Sequence, residues 1–252
     1  MVHINKVFRN LMPVGFLMLV LLVGCTSLGQ VPKHEVKPVA PDELPSGNSW
    51  WRARFRMNWP PDTDPVWHLD LYLAHQVIMP LLDDYKGDIV LWRFHRRAKR
   101  DGAGRQFTFW FYSSPGTAQQ IFEDLKMNPI IIDNLAAGVI DQVVYSNPAK
   151  IKRPSIADTS DPSWPEPIRE TWPYYIAGVS RMWLNLVARV ADSDLTDDPP
   201  ASSDEIDAFY RKVDESVTEL WQTKGRHAFM HHLNAVFGYE PLIYYEKRMM
   251  NF

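Results

Sequence analysis

The segment Trp51-Arg-Ala-Arg-Phe-Arg-Met57 alternates apolar and cationic residues without a break. Successive side chains of a strand leave on opposite faces, so Trp51, Ala53, Phe55 and Met57 share one side and Arg52, Arg54 and Arg56 the other. The pattern predicts a half-buried strand, with one face on a core and three guanidinium groups on the opposite face. A fold that accepts it needs a sheet with one covered face and one open one.

The residues that follow supply the rest of such a sheet. Residues 66–85 place Leu69, Leu73, Val77 and Leu81 at helical spacing, with Asp62 or Asp64 as candidate cap and Pro80 expected to kink the helix or end it early. Residues 88–97 and 106–114 are rich in aromatic and branched side chains, and Lys99-Arg-Asp-Gly-Ala-Gly104 between them has hairpin turn chemistry. Helical spacing returns over 116–127, where Ala118, Ile121, Phe122 and Leu125 share a face. A short apolar helix or loop around 130–135 then leads to a strand at 142–145. This order predicts an α+β fold, a ferredoxin-like split βαβ sheet (β-α-β-β-α-β) over residues 50–147.

Prolines recur from Pro148 through Pro154, Pro162, Pro165, Pro167 and Pro173, so residues 148–173 are expected to be an irregular connection. Residues 174–252 are expected to form a helical lobe packed on the sheet. Its first helix carries Ile176, Val179, Trp183, Leu186, Val187 and Val190. Ser202-Ser-Asp-Glu205 is a capping box opening a second helix with the stripe Ile206, Phe209, Val213, Val217 and Leu220. A third helix is expected from about 226 to 237, stopping at Gly238, and Pro241 is a starting point for a short terminal one.

The N-terminus carries a different signal. Lys6 and Arg9 precede the apolar run Phe16-Leu-Met-Leu-Val-Leu-Leu-Val23, which is too short to span a bilayer. It closes on Leu22-Val-Gly-Cys25, which resembles the lipobox of bacterial lipoproteins, where the cysteine is acylated and becomes the mature N-terminus. The resemblance implies a signal peptide over 1–24, lipidation at Cys25, and membrane attachment through the lipid. The alternative is an uncleaved anchor with an incidental cysteine. Thr26 in second position, rather than Asp, implies the outer membrane, with the domain facing the periplasm. Residues 25–49, with Pro32, Pro38, Pro41 and Pro45, read as a tether reaching up to about 70 Å at roughly 3.1 Å per residue.

Removing the signal with Lys6 and Arg9 from 27 basic and 30 acidic residues leaves 25 against 30, a net charge near −5. No global footprint for nucleic acid is present. Cys25 is the only cysteine, so its acylation leaves no thiol for a disulfide, a metal or a nucleophile. A hydrophobic fraction of 46% is ample for a packed core of one domain or two small lobes.

Against the acidic balance stands a local concentration of cations. The hairpin contributes Arg93, His95, Arg96, Arg97, Lys99, Arg100 and Arg105, and the first strand adds Arg52, Arg54 and Arg56. Of these, Arg52, Arg54, Arg56, Arg93, His95 and Arg97 form a candidate binding surface for a carboxylate, phosphate or lipid headgroup, since guanidinium forks engage such groups bidentately. The alternative is a solvated face whose charges protect a sheet edge. His227 and His231 sit four apart on a helix, which also suits structural or capping roles; no third metal ligand can be named, no metal site is assigned, and no cofactor fingerprint is present. Ser180 in Gly178-Val-Ser-Arg-Met182 has half of a nucleophile elbow in a helical context and reads as a helix serine.

Three segments resemble the glutamate-elimination domain at the C-terminus of lantibiotic and thiopeptide dehydratases: Val77-Ile-Met-Pro-Leu-Leu82 before Leu91-Trp-Arg-Phe94, Gly104-Arg-Gln-Phe-Thr-Phe-Trp-Phe111, and Phe229-Met-His-His-Leu-Asn-Ala-Val-Phe-Gly238 with Glu246. Arg93, His232 and Asn234 match that family's pattern, whereas Thr108 and Trp110 stand where it has alternating arginines and Met230 replaces its first histidine. The resemblance implies a shared fold with the chemistry lost or replaced. The sequence thus predicts a non-enzymatic, lipid-anchored envelope protein that binds a protein, peptide or anionic ligand. Its alternative is a lyase- or transferase-like enzyme acting on a peptide or acyl substrate through Arg93 and His232.

Overall fold

A computed structural model describes residues 44–194, 200 and 202–239. Cys25, most of the tether, Glu240, Pro241 and Glu246 lie outside the described residues. The alternating segment forms β1 (Ser49–Met57), with the expected apolar residues buried and the three arginines half-buried. It lies inside a four-stranded sheet with β2 (Leu91–Arg97), β3 (Gln106–Ser113) and β4 (Ile140–Tyr145), in the order β2-β3-β1-β4. All three pairings are antiparallel. The molecule is therefore a mixed α+β fold.

Register decides what each face holds. Trp51, Ala53 and Phe55 stand opposite Phe111, Phe109 and Phe107, and Trp92 and Phe94 extend the first two rows on β2. These aromatics pack on helices α1 (His68–Leu73), α2 (Met79–Asp84), α3 (Pro115–Met127) and α4 (Pro129–Ala136) through Leu73, Leu81, Ile121, Leu125 and Ile131, and on Ile78 between α1 and α2. Full burial of side chains of this size contributes about 1.5–3 kcal/mol each before conformational entropy is set against it.

The helix expected over 66–85 begins at His68 and is capped by neither Asp62 nor Asp64; Trp67 holds the N-cap position without a side-chain bond. Pro80 does not end it. The backbone widens into a π-turn over Ala74–Ile78, and Pro80 opens α2 in its first turn. Widening there relieves the clash between the proline ring and the preceding turn.

The proline-rich connection holds more order than expected. A short 3₁₀ turn, Ile156–Thr159, precedes α5 (Glu166–Asp194), which begins eight residues before the expected start at 174 and contains Pro173. Pro173 has no N–H for the carbonyl of Arg169, and the Ser160 hydroxyl donates to that oxygen at 2.7 Å. Helix α5 then runs along the edge strand β2, where the Ser180 hydroxyl accepts from the Phe94 N–H at 3.0 Å and donates to the Ile176 carbonyl at 2.8 Å. Ser180 is thus a structural serine that satisfies a sheet edge.

Helix α6 (Ser203–Leu220) opens with the expected capping box of Ser202 and Glu205. The third helix is not separate. The chain continues from α6 through a π-helical stretch, Trp221–His231, into α7 (His232–Val236), and turns at Gly238 with φ +80°. Helices α1, α5 and α6 share a second core of Leu71, Val187, Val190, Ala191, Tyr210, Val213 and Val217.

A carboxylate is buried completely between these layers. Asp70 of α1 accepts from Arg96 Nε at 2.7 Å and from Arg105 Nη2 at 2.6 Å. The indole of Trp67 packs against both guanidinium groups, at 5.0 and 4.4 Å from its ring centroid. Removing one partner of such a buried cluster leaves uncompensated charge. Asp70→Asn is expected to cost about 3–5 kcal/mol of unfolding free energy in urea denaturation, well above the change of under about 1 kcal/mol expected for the exposed Glu123 of the Lys126 pair.

Candidate anion-binding face

The face of the sheet turned away from α1 to α4 is built from the same register. Arg52 of β1, Trp110 of β3 and Arg93 of β2 form one row; Arg54, Thr108 and His95 form the next; Arg56, Gln106 and Arg97 form the third. Each row places a basic residue on either side of a central β3 residue. The flanking positions are about 10 Å apart across the sheet, and rows repeat every ~7 Å along it. All six residues expected to bind an anion thus share one face.

Their environments differ. The chain after β4 returns over the upper end of this face: the Arg153 carbonyl accepts from Trp50 N at 2.9 Å, the Ile156 carbonyl accepts from the Trp50 indole at 2.9 Å, and the Tyr112 hydroxyl donates to the Pro154 carbonyl. This strap takes Arg93, which is buried, with Nε donating to Thr159 Oγ1 at 2.8 Å and the guanidinium against Trp172 at 5.1 Å. Arg97 is bound to Asp101 and to the Gly104 carbonyl in the hairpin turn. Arg52, Arg54, Arg56 and His95 are left on the uncovered part.

Arg153 joins them. Its guanidinium lies 5.1 Å from the Trp110 centroid, with those of Arg52 and Arg93 each at 5.3 Å. Sequence reasoning missed it because it sits in the proline-rich connection; the only signal there was Lys152-Arg153 beside Pro154. Among the described residues, none of Arg52, Arg54, Arg56, Arg93 and Arg153 forms an ion pair with a carboxylate.

That imbalance shows in the electrostatics. Desolvation and then Arg153 bring Arg93 down to about 10, still charged at neutral pH. Arg52 is lowered by desolvation and by Arg54 and Arg153, and Arg54 by desolvation and by Arg56. His95 is depressed by desolvation and then by Arg93 and Arg97. An anion on this face relieves the mutual repulsion of these groups and gains charge-assisted hydrogen bonds.

The third row opens into a cleft of about 440 Å³ at the base of the hairpin, lined in part by Arg56, Lys99, Arg100, Arg105 and Asp141. Asp141 reaches it because the β1–β4 register shifts between Arg56 and Met57. Arg100 is fixed over the Trp59 ring and donates to the carbonyls of Trp59, Pro60 and Thr63. Arg105 keeps Nε and Nη1 buried without a partner in this structure.

The other candidate residues lie elsewhere. Arg93 is surrounded by Thr159, Trp110, Trp172 and Arg153, whereas His232 is an exposed residue of α7 beside His231, and the two share none of these neighbours. The rings of His227 and His231 stack nearly parallel at 4.8 Å, which points their nitrogens past one another rather than at a common ion. Among the described residues no group of three ligating side chains is placed to hold a metal. The chain matches no protein-family model, no curated protein and no solved structure.

A pH test follows from His95 and from His75, whose imidazole is lowered by desolvation against the raising effect of Asp192. Both bind protons more weakly folded than unfolded, so their contribution to stability is complete above about pH 6.5 and is lost as pH falls through the folded values. Urea midpoints are expected to drop between about pH 7.5 and about pH 5.5, with a shallower drop in His95→Gln. Comparing the two proteins separates His95 from Asp214, whose carboxyl is raised by desolvation first and by Asp70 and Glu215, against Arg96 and His68, and which contributes with the opposite sign.

Proposed function

We propose that this chain is a non-enzymatic envelope lipoprotein, anchored in the outer membrane through acylated Cys25, whose sheet holds an extended anionic ligand of the periplasm. The ligand class is a carboxylate-bearing peptide or envelope polymer with anionic groups spaced along its length. The carrying observation is the face on which Arg52, Arg54, Arg56 and Arg153 converge with no carboxylate paired to them among the described residues. The element order and the strand order β2-β3-β1-β4, antiparallel throughout, support assigning the sheet to the ferredoxin-like class, with α5 to α7 as an added helical lobe. Binding is favoured over a lyase- or transferase-like reaction because Arg93 is held by the strap and His232 has different neighbours. The run before Cys25 and the proline-rich residues after it support an anchor with a tether.

Two measurements test the two halves. Titration with poly-L-glutamate, followed by tryptophan fluorescence, is expected to give saturable, salt-sensitive binding that weakens about tenfold in Arg54→Gln with Arg56→Gln. Binding that is indifferent to both substitutions and to salt contradicts the face. In cells, Cys25→Ser is expected to abolish acyl labelling and leave the protein extractable from membranes by a high-salt wash. Acyl labelling that persists in that variant contradicts the anchor.

A further inference from the structure

The chain changes character at the end of α6. That helix carries Asp204, Glu205, Asp207, Asp214, Glu215 and Glu219, whereas the twenty residues from Leu220 to Tyr239 contain no Asp or Glu and include Lys224, Arg226, His227, His231 and His232. Within the same stretch large apolar side chains face solvent: Trp221, Phe229, Met230 and Leu233 are each about two-fifths exposed, Phe237 is 68% exposed and Val236 81%. Isolated exposed apolar residues are ordinary, but so many on one helical segment mark an interaction surface.

The surface is built rather than incidental. Trp221 and Phe229 stack at 6.3 Å with their planes 13° apart. Gly225 lies buried beneath them, and a Cβ there would meet Trp221 Cε3 at 2.8 Å, so the glycine is what lets the two rings lie together as one plate. Leu233 and Phe237 continue the four-residue step from Phe229.

We propose that the helix face from Trp221 to Phe237 docks on an anionic lipid surface. Packing this face on a second copy would bring Lys224 and Arg226 against the same cations, with no carboxylate in the segment to answer them. A bilayer with acidic headgroups supplies at one depth both the apolar region that Phe229, Leu233, Val236 and Phe237 require and the anions that Lys224 and Arg226 require. Trp221 and Tyr239 are of the type that settles at the boundary between the two. Neither acylation nor the basic sheet face enters this argument.

Because Cys25 is the only cysteine, a Cys25→Ser, Val236→Cys chain carries one environment-sensitive fluorophore on the proposed face. A Cys25→Ser, Met127→Cys chain carries it on another exposed position, at the end of α3. Vesicles of equal parts phosphatidylglycerol and phosphatidylcholine are expected to shift the emission at position 236 to the blue and leave position 127 unchanged. Lys224→Gln with Arg226→Gln is expected to lower the partition coefficient roughly thirtyfold. The proposal is overturned by no shift at 236, by equal shifts at both positions, or by equal binding to pure phosphatidylcholine vesicles. It is also overturned by a shift at 236 that tracks protein concentration without lipid, the signature of self-association, or by one produced only by a soluble acidic protein.

Discussion

Asp70 draws two arginines into the interior, between the sheet and its helices. It is fully buried on α1 and engages Arg96 of β2 and Arg105 just before β3, with Trp67 packed against both cations. The pair Arg96–Asp70 crosses from sheet to helix, so it sets the rotation of α1 on the aromatic face. Arg96 also lies 5.0 Å from the Trp183 ring of α5, which brings the long helix into the same arrangement. With Arg96 committed to the helix side, the period of two directs Arg93, His95 and Arg97 to the other. One carboxylate answers two interior cations, and the open face holds Arg52, Arg54, Arg56, Arg93 and Arg153 with no paired carboxylate among the described residues.

The strap divides these arginines further. Hydrogen bonds from Trp50, Tyr112 and Arg93 pin residues 153–159 across three strands, and Arg153 arrives beside Trp110 as part of the same crossing. A cation supplied by a covering segment and cations supplied by strands therefore converge without an acid between them. Desolvation first, and then like charge from Arg54 and Arg153 on Arg52 and from Arg56 on Arg54, lowers these two arginines in the folded chain. A bound anion offsets the like charge. His95, depressed by desolvation and then by Arg93 and Arg97, would regain its proton more readily beside a bound anion.

Much of the sheet was legible in the chain because its signals are local. Alternation over residues 51–57 and the turn chemistry of 99–104 specify strand faces and a hairpin within a dozen residues, and the basic face follows once the register is known. What escaped depends on partners distant in sequence. Asp70 lies in the middle of a helical stripe and gives no sign that residues 96 and 105 will bury it. Pro173 reads as a breaker until Ser160 takes the carbonyl it frees. The helix expected to start near 226 begins upstream instead, and it passes through Gly225, where two rings cover the space a side chain would fill.

On the proposed function, the cations of the open face, and not those gripped by Asp70, meet the anionic ligand. Arginine Nε–Hε resonances followed by NMR during titration with poly-L-glutamate read this most directly, since each guanidinium reports separately. The account predicts progressive shifts for Arg52, Arg54, Arg56 and Arg153, with Arg96 and Arg105 unmoved. Uniform shifts across all of these arginines, or none on the open face at saturating ligand, would contradict it.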